Sequence, residues 1–270
     1  MKTFIHVITL TLLALTAQSA ELTVQCGIPP LVSVVSAVGG DRVQVGSLMN
    51  SNQDPHTWSP SPKAVIEVRD ADLFFTVGMP FEQTVAEKLA VMNPALRVVN
   101  VADTLNDSSD VHVWMSVSKL SMMSSVIETA LSAADPEGAL VYKKNRESYE
   151  QQLAETHERL KEKLAAVHGK TFYVYHPVFF YFARDYGLNQ GVVELDGKSP
   201  SPKDLLALIN RAREEHVRVL FVQPQFSQRP AKILADRIDG KVLSINPMAE
   251  NPIDVIEQAA DSLAEIYAIP

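Results

Sequence analysis

From residue 21 onward, short β-branched runs alternate with amphipathic stretches, the pattern of parallel sheets whose strands are joined by crossover helices. In the first half the runs predict strands at 23–26, 43–47, 73–76 and 97–101, with helices at 31–38, 62–68 and 81–90, followed by a helical stretch at 118–134. The second half predicts strands at 171–175, 192–195, 218–222 and 241–245, with helices at 201–215, 228–238 and 252–266. Between the halves the pattern changes. Over 136–168, Leu140, Tyr149, Leu153, Leu160 and Leu164 fall at mostly helical spacing among many charges. Asp135 is placed to cap this helix with Pro136 in its first turn, and Gly169 supplies the left-handed position that ends it. At ~1.5 Å per residue, roughly 30 residues reach about 45–50 Å, longer than one small domain. Such a helix either spans two lobes or lies on the surface of one larger domain.

The first twenty residues have a different character. Lys2 precedes an apolar run from Phe4 to Leu15, then the small residues Thr16, Ala17, Ser19 and Ala20, the layout of a secretory signal peptide with cleavage near residue 20. The run is short of the ~20 apolar residues that a membrane span needs. The lone cysteine, Cys26, lacks the small residues expected before a lipidated cysteine and cannot form an internal disulfide. It is expected to be a small buried hydrophobe on the first strand. The formal net charge is -8 and becomes -9 without Lys2, which argues against nucleic acid as a partner, since that binding draws on Lys and Arg. The roughly 250 residues beyond the expected signal peptide can bury roughly three quarters of their unfolded surface without disulfide or metal. No internal repeat is evident in the sequence.

Candidate chemistry lies in the histidines, of which there are seven. His6 leaves with the signal, His157 and His168 ride the long charged helix, and His216 follows Glu214 and Glu215 at a helix end. Those four have ordinary surface explanations. His56, His112 and His176 each sit in a polar break after an expected strand, in Asp54-Pro55-His56, Asp110-Val111-His112 and Tyr175-His176-Pro177. Proline stiffens the first of these loops at Pro55, Pro60 and Pro62, so an imidazole there is held at little ordering cost, with Asp54 available to orient the ring. Any one of the three could be a structural residue. Together, neutral imidazoles from distant segments make a ligand set for a borderline-soft divalent metal, zinc above all.

These segments carry a resemblance. Asp54-Pro55-His56, residues 110–116, His176-Pro177 with 181–188, Ser199-Pro200-Ser201-Pro202 and residues 221–226 stand in the order and spacing of the metal-binding solute-binding proteins of ABC importers, especially the periplasmic zinc-uptake type. The resemblance covers nearly all of the chain beyond residue 20. It implies an α/β fold of two lobes of parallel-sheet sandwich type joined by one long rigid helix. On this reading 1–20 is the signal peptide, 21–135 the N-terminal lobe, 136–168 the linking helix and 169–270 the C-terminal lobe. His56 and His112 match the metal ligands of the first lobe and His176 the first ligand of the second. Related manganese importers usually carry a carboxylate at the third position, so histidine places Zn²⁺ ahead of Mn²⁺. The implied protein is a periplasmic monomer, not an enzyme, that hands its metal to a membrane permease powered by a separate ATPase subunit. No Gly-rich Walker loop is present in this chain.

The chain also departs from the family pattern. Asn246-Pro247-Met248 stands where the family often has aspartate before Pro-Leu, so the fourth position falls to the Asn246 amide oxygen, to Glu250 or to water. Three neutral imidazoles without a carboxylate leave the ion's charge uncompensated, and weaker retention is expected. Val111 replaces the usual proline before the second histidine, which is expected to loosen that loop, and the long histidine- and acid-rich loop of some relatives is missing. Two rivals follow from the same residues: a receptor for a metal chelate such as a siderophore or corrinoid, with structural histidines, and a zinc hydrolase with Asp54 or Glu250 as general base. The second lacks a His-Glu-x-x-His helix and a Gly-x-Ser-x-Gly elbow.

Overall fold

In a computed structural model, the described residues are 21–105, 107, 109–195 and 197–268, so the expected signal peptide lies outside them. Two four-stranded parallel sheets form the frame. The first contains β1 (Leu22–Cys26), β2 (Val43–Ser47), β3 (Leu73–Thr76) and β4 (Arg97–Asn100) in the order β2-β1-β3-β4. The second contains β5 (Thr171–Val174), β6 (Asn189–Val192), β7 (Val219–Val222) and β8 (Lys241–Ser244) in the order β6-β5-β7-β8. The two orders are the same relative to chain direction, a structural repeat with no visible counterpart in the sequence. β3, Leu-Phe-Phe-Thr, and β7, Val-Leu-Phe-Val, are buried at every position, as interior strands covered on both faces must be.

The crossover helices of the first lobe are α1 (Pro30–Gly39), α2 (Pro62–Arg69) and α3 (Pro80–Met92), followed by α4 (Val117–Ala134). Prolines open the first three, where a missing N–H costs nothing, and Ser61 caps α2 by accepting from Ala64 N–H at 3.2 Å. The linking helix, α5 (Ala139–Leu164), is flanked by 3₁₀ turns at Pro136–Gly138 and Ala165–Val167. Asp135 accepts from Gly138 N–H at 3.2 Å and from the Arg42 guanidinium at 2.7 Å, tying the start of the spine to the first lobe. Gly169 follows with φ of +77°. The second lobe adds α6 (Phe180–Asp185), α7 (Pro202–Glu214), α8 (Arg229–Ile238) and α9 (Pro252–Ala268).

One expected strand is displaced. The run at 192–195 suggested a strand by its apolar residues, but β6 spans Asn189–Val192, and Leu195 makes only an isolated bridge with Lys198. The register with β5 sets this: Thr171 to Val174 pair with Asn189 to Val192, so Val193 and Glu194 lie beyond the sheet's carboxyl edge. The aromatic block after His176 is core, as expected, but it also forms α6, with Phe179, Tyr181 and Phe182 buried.

The halves share a core. One continuous apolar cluster runs from β1, β3 and α1 through Tyr142, Tyr149, Leu153, Leu160 and Leu164 of α5 to Phe172, Phe221 and α9. Ion pairs Arg159–Glu257 and Lys163–Asp261 fasten α5 to α9. Across the interface, Trp114 Nε1 donates to the Pro247 carbonyl at 2.8 Å and Asp107 accepts from Arg184 at 2.8 Å, while Lys119 of the same lobe pairs with Asp107 at 3.2 Å. A buried core that crosses the interface opposes wide hinge opening. Among the described residues, no helix is long and apolar enough to cross a membrane.

Candidate metal centre

In open parallel sheets, ligands collect beyond the carboxyl ends of the strands, where strand order reverses. Both lobes use that edge. His56 follows β2, His112 follows β4 and His176 lies two residues beyond β5, and the structure brings the three together from 56 and 120 positions apart in the chain. His56 Nε2 is 3.0 Å from His176 Nε2 and 3.4 Å from His112 Nε2. The three candidate ligand atoms all lie within 4.8 Å of one another. Nitrogens bound to one tetrahedral zinc at about 2.0–2.1 Å stand about 3.3 Å apart, so these separations fit a common ion.

Each ring is held differently. His112, 4% exposed, has its Nδ1 at 2.6 Å from Asp110 Oδ1, and the same oxygen accepts the His112 backbone N–H at 2.7 Å. His176 Nδ1 is 2.7 Å from Glu194 Oε1, and Phe226 stacks on its ring at 5.4 Å. A carboxylate on Nδ1 fixes the proton there and leaves the Nε2 lone pair directed at the ion. Asp110 and Glu194 thus place two carboxyl groups directly behind the imidazoles, which counting only the atoms facing the ion leaves out.

His56 is the exposed member of the trio. Asp54 does not orient its ring. Instead Oδ1 accepts from the His56 backbone N–H at 3.0 Å and Oδ2 from Thr57 Oγ1 at 3.0 Å, so Asp54 shapes the loop as an Asx turn. Loss of hydration lowers the basicity of His56 and of His176; at His56 the neighbouring His176 ring adds to the effect, and at His176 Glu194 opposes it. Both rings therefore stay neutral to lower pH than a free imidazole.

The loop of His112 is not loose despite Val111. The Tyr181 hydroxyl donates to the Asp110 carbonyl at 2.8 Å and accepts its N–H at 3.2 Å. Neither expected fourth group lines the cavity among the described residues. The Asn246 oxygen accepts from Gln225 Nε2 at 2.9 Å and from Met248 N–H at 3.1 Å. The cavity over the rings is about 20 Å³, bounded by Trp114, Val178, Phe226 and Met248, room for an ion and little else. His157 instead faces the Tyr186 hydroxyl at 3.3 Å, and His216 is an exposed residue at a left-handed turn with φ of 51°.

Sequence reasoning missed Glu194, which reads as part of an apolar strand; the one available signal was a lone carboxylate ending the run Val192-Val193. It also missed Gln223, whose side chain accepts from His176 N–H at 3.2 Å and donates to its carbonyl at 2.7 Å.

The model of the family described as "ZnuA: Zinc-uptake complex component A periplasmic" matches residues 24–266. The chain belongs to this family. Among relatives, the high-affinity zinc uptake system protein ZnuA of Bacillus subtilis (strain 168) is 25% identical over 271 residues, covering 87% of this chain and 84% of that protein. A crystal structure of a ZnuA superposes with a TM-score of 0.87 at 28% identity, covering 91% of this chain and 99% of the other. A zinc-bound ZnuA deletion mutant gives a TM-score of 0.84 at 28% identity, covering 91% and 98%. The ZnuA-type architecture of two parallel-sheet α/β lobes and a long helix is thus shared, and the family consists of binding components of metal uptake systems.

Proposed function

We propose that this ZnuA-family chain captures a divalent transition metal, zinc foremost and manganese second, on His56, His112 and His176 between its lobes. It then delivers the ion to a membrane permease driven by a separate ATPase subunit. The observation that carries this reading is the approach of three Nε2 atoms, two of them backed by carboxylates on Nδ1. Imidazole ligands suit zinc, and copper and nickel by the same softness, better than manganese. The protein acts as an exported monomer in the periplasm after cleavage near residue 20.

Catalysis is disfavoured by the roles of the nearby carboxylates. Asp110 and Glu194 each bond the Nδ1 of a candidate ligand, Glu194 through one of its two oxygens, and both oxygens of Asp54 are bonded within its own loop. A chelate held over the three histidines is disfavoured by volume, since that cavity is about 20 Å³ and a pocket for an organic ligand runs to roughly 300–1,000 Å³. The test is elemental analysis of the purified protein followed by chelator competition with zinc and manganese. Near-stoichiometric metal, lost together in His56→Ala, His112→Ala and His176→Ala, is expected. Equal affinity in the parent and all three variants would reject the assignment.

A further inference from the structure

We propose that the Gln225 side-chain oxygen occupies the fourth coordination position of the ion held by His56, His112 and His176, an inference that rests on the metal-capture reading above. Gln225 lies just beyond β7 and lines the same cavity as the three rings. Its Nε2 donates to the Ser51 carbonyl at 2.7 Å and to Asn246 Oδ1 at 2.9 Å. A carbonyl can only accept, so the nitrogen must be the atom that faces Ser51. Asn246 is oriented independently, because its Oδ1 takes the Met248 backbone N–H at 3.1 Å. The amide of Gln225 therefore cannot be reversed without setting oxygen against oxygen at both contacts.

The remaining atom, Gln225 Oε1, is buried and has no hydrogen-bond partner among the described residues. A buried acceptor left in this way is uncommon in native proteins and calls for an ion or a donor at that point. The other oxygen-bearing side chains lining the cavity are already engaged. Both ends of the Gln223 amide are bonded to the His176 backbone, and both oxygens of Asp54 are bonded within its loop. Asn246, outside the cavity lining, has its oxygen taken by two N–H donors. Among the described side chains that line the cavity, only Gln225 offers a spare oxygen; the unpartnered oxygen of Glu194 belongs to a residue outside that lining. The same residue joins the His56 loop, through Ser51, to the second lobe, so a ligand at Gln225 would link the metal to the contact between the lobes.

A neutral amide oxygen completes three nitrogens without adding charge. Replacing it by carboxylate adds a hard anionic donor, which favours manganese more than zinc. The experiment compares Gln225→Leu, Gln225→Glu and His176→Ala with the parent protein, using zinc and manganese competition and the visible spectrum of the Co²⁺-loaded protein, with thermal melts of the metal-free forms as a folding control. Gln225→Leu is expected to weaken zinc at least tenfold and to change the Co²⁺ bands. Gln225→Glu is expected to raise manganese affinity relative to zinc at least tenfold, and it decides the question alone should the leucine variant fail to fold. Parent-like affinity and spectrum in both variants would overturn the proposal, as would equal weakening in both with an unchanged Co²⁺ spectrum, which marks a loop-holding role only. Either result alongside lost metal in His176→Ala leaves the three-histidine site standing. Metal binding that survives His176→Ala instead overturns the site itself.

Discussion

Glu194 offers the sharpest test of how the site is built. Its carboxylate is 2.7 Å from His176 Nδ1, its side chain is 6% exposed, and its second oxygen has no partner among the described residues. Glu194→Ala would leave the Nδ1 proton of His176 buried without an acceptor and free the ring to turn. A hydrogen bond to a charged group contributes about 1.5–3 kcal/mol, which corresponds to about 10- to 150-fold in affinity. That range agrees with the roughly 10- to 100-fold found when groups behind metal ligands are removed. Glu194→Gln keeps an acceptor but not the charge, so its loss should be about tenfold or less. Both are read by zinc competition against a chromophoric chelator. Thermal melts without metal supply the control, because removing the carboxylate relieves one buried unpartnered oxygen while breaking one hydrogen bond, and the two effects oppose each other in the metal-free fold. The expected signature is weaker zinc binding with an unchanged or higher metal-free melting temperature. Zinc affinity in Glu194→Ala within twofold of the parent would refute the orienting role, and a loss of affinity matched by a loss of metal-free stability would assign the effect to folding.

Removal of the exposed turn residue in His216→Ala should leave zinc affinity within experimental scatter, whereas His112→Ala should lower it at least 100-fold in the same titration. Zinc affinity should fall in acid as protons compete for Nε2, and the lowered basicity of His56 and His176 moves their share of that loss to lower pH than for a free imidazole; a steep loss already between pH 8 and 7 would contradict this. Glu82 predicts a pH effect unrelated to metal. It is buried against Gly27, accepts from Val77 and Met79 N–H at 3.0 and 2.8 Å, and burial raises its pKa to about 7 against 4.5 when unfolded. Below pH 4.5 both states hold the proton; between 4.5 and 7 only the folded state does, so stability falls across that window by about 3 kcal/mol and then levels off. Denaturant titrations of the parent at pH 5 and 7.5 should show this drop and Glu82→Gln should show little of it; equal pH dependence in the two proteins would remove Glu82 as its cause.

Most of the frame was legible because the signals for it are local. The interior strands β3 and β7 are short apolar runs, and helices α2 and α7 open at Pro62 and Pro202, each directly behind a serine cap. Strand β6 was misplaced for a nonlocal reason. Asn189-Gln190-Gly191 is too polar to read as strand, and it becomes one only because β5 offers its free edge. Sheet order and the pairing of the two lobes likewise depend on contacts between distant segments, so a repeated topology could pass unseen through a sequence with no repeated residues.

The site divides along the same line. His56, His112 and His176 could be picked out because imidazole after a strand is chemically distinctive wherever it lands. The groups around those rings were harder to see, since Glu194, Gln223 and Gln225 are common residue types whose contacts come from position alone. Asp110 was adjacent to a candidate and so was noticed only as a neighbour. Asn246 shows the converse: at the position the sequence pointed to, its oxygen accepts from Gln225 and Met248. The difference has a physical root. A ligand atom must be of one chemical kind, but the group behind it need only accept a proton at about 2.7 Å, and many side chains can do that once the fold has set the distance. Metal choice in such a site is therefore written in the imidazoles, while the strength and orientation of the grip are written in the packing of the carboxyl edges of two sheets.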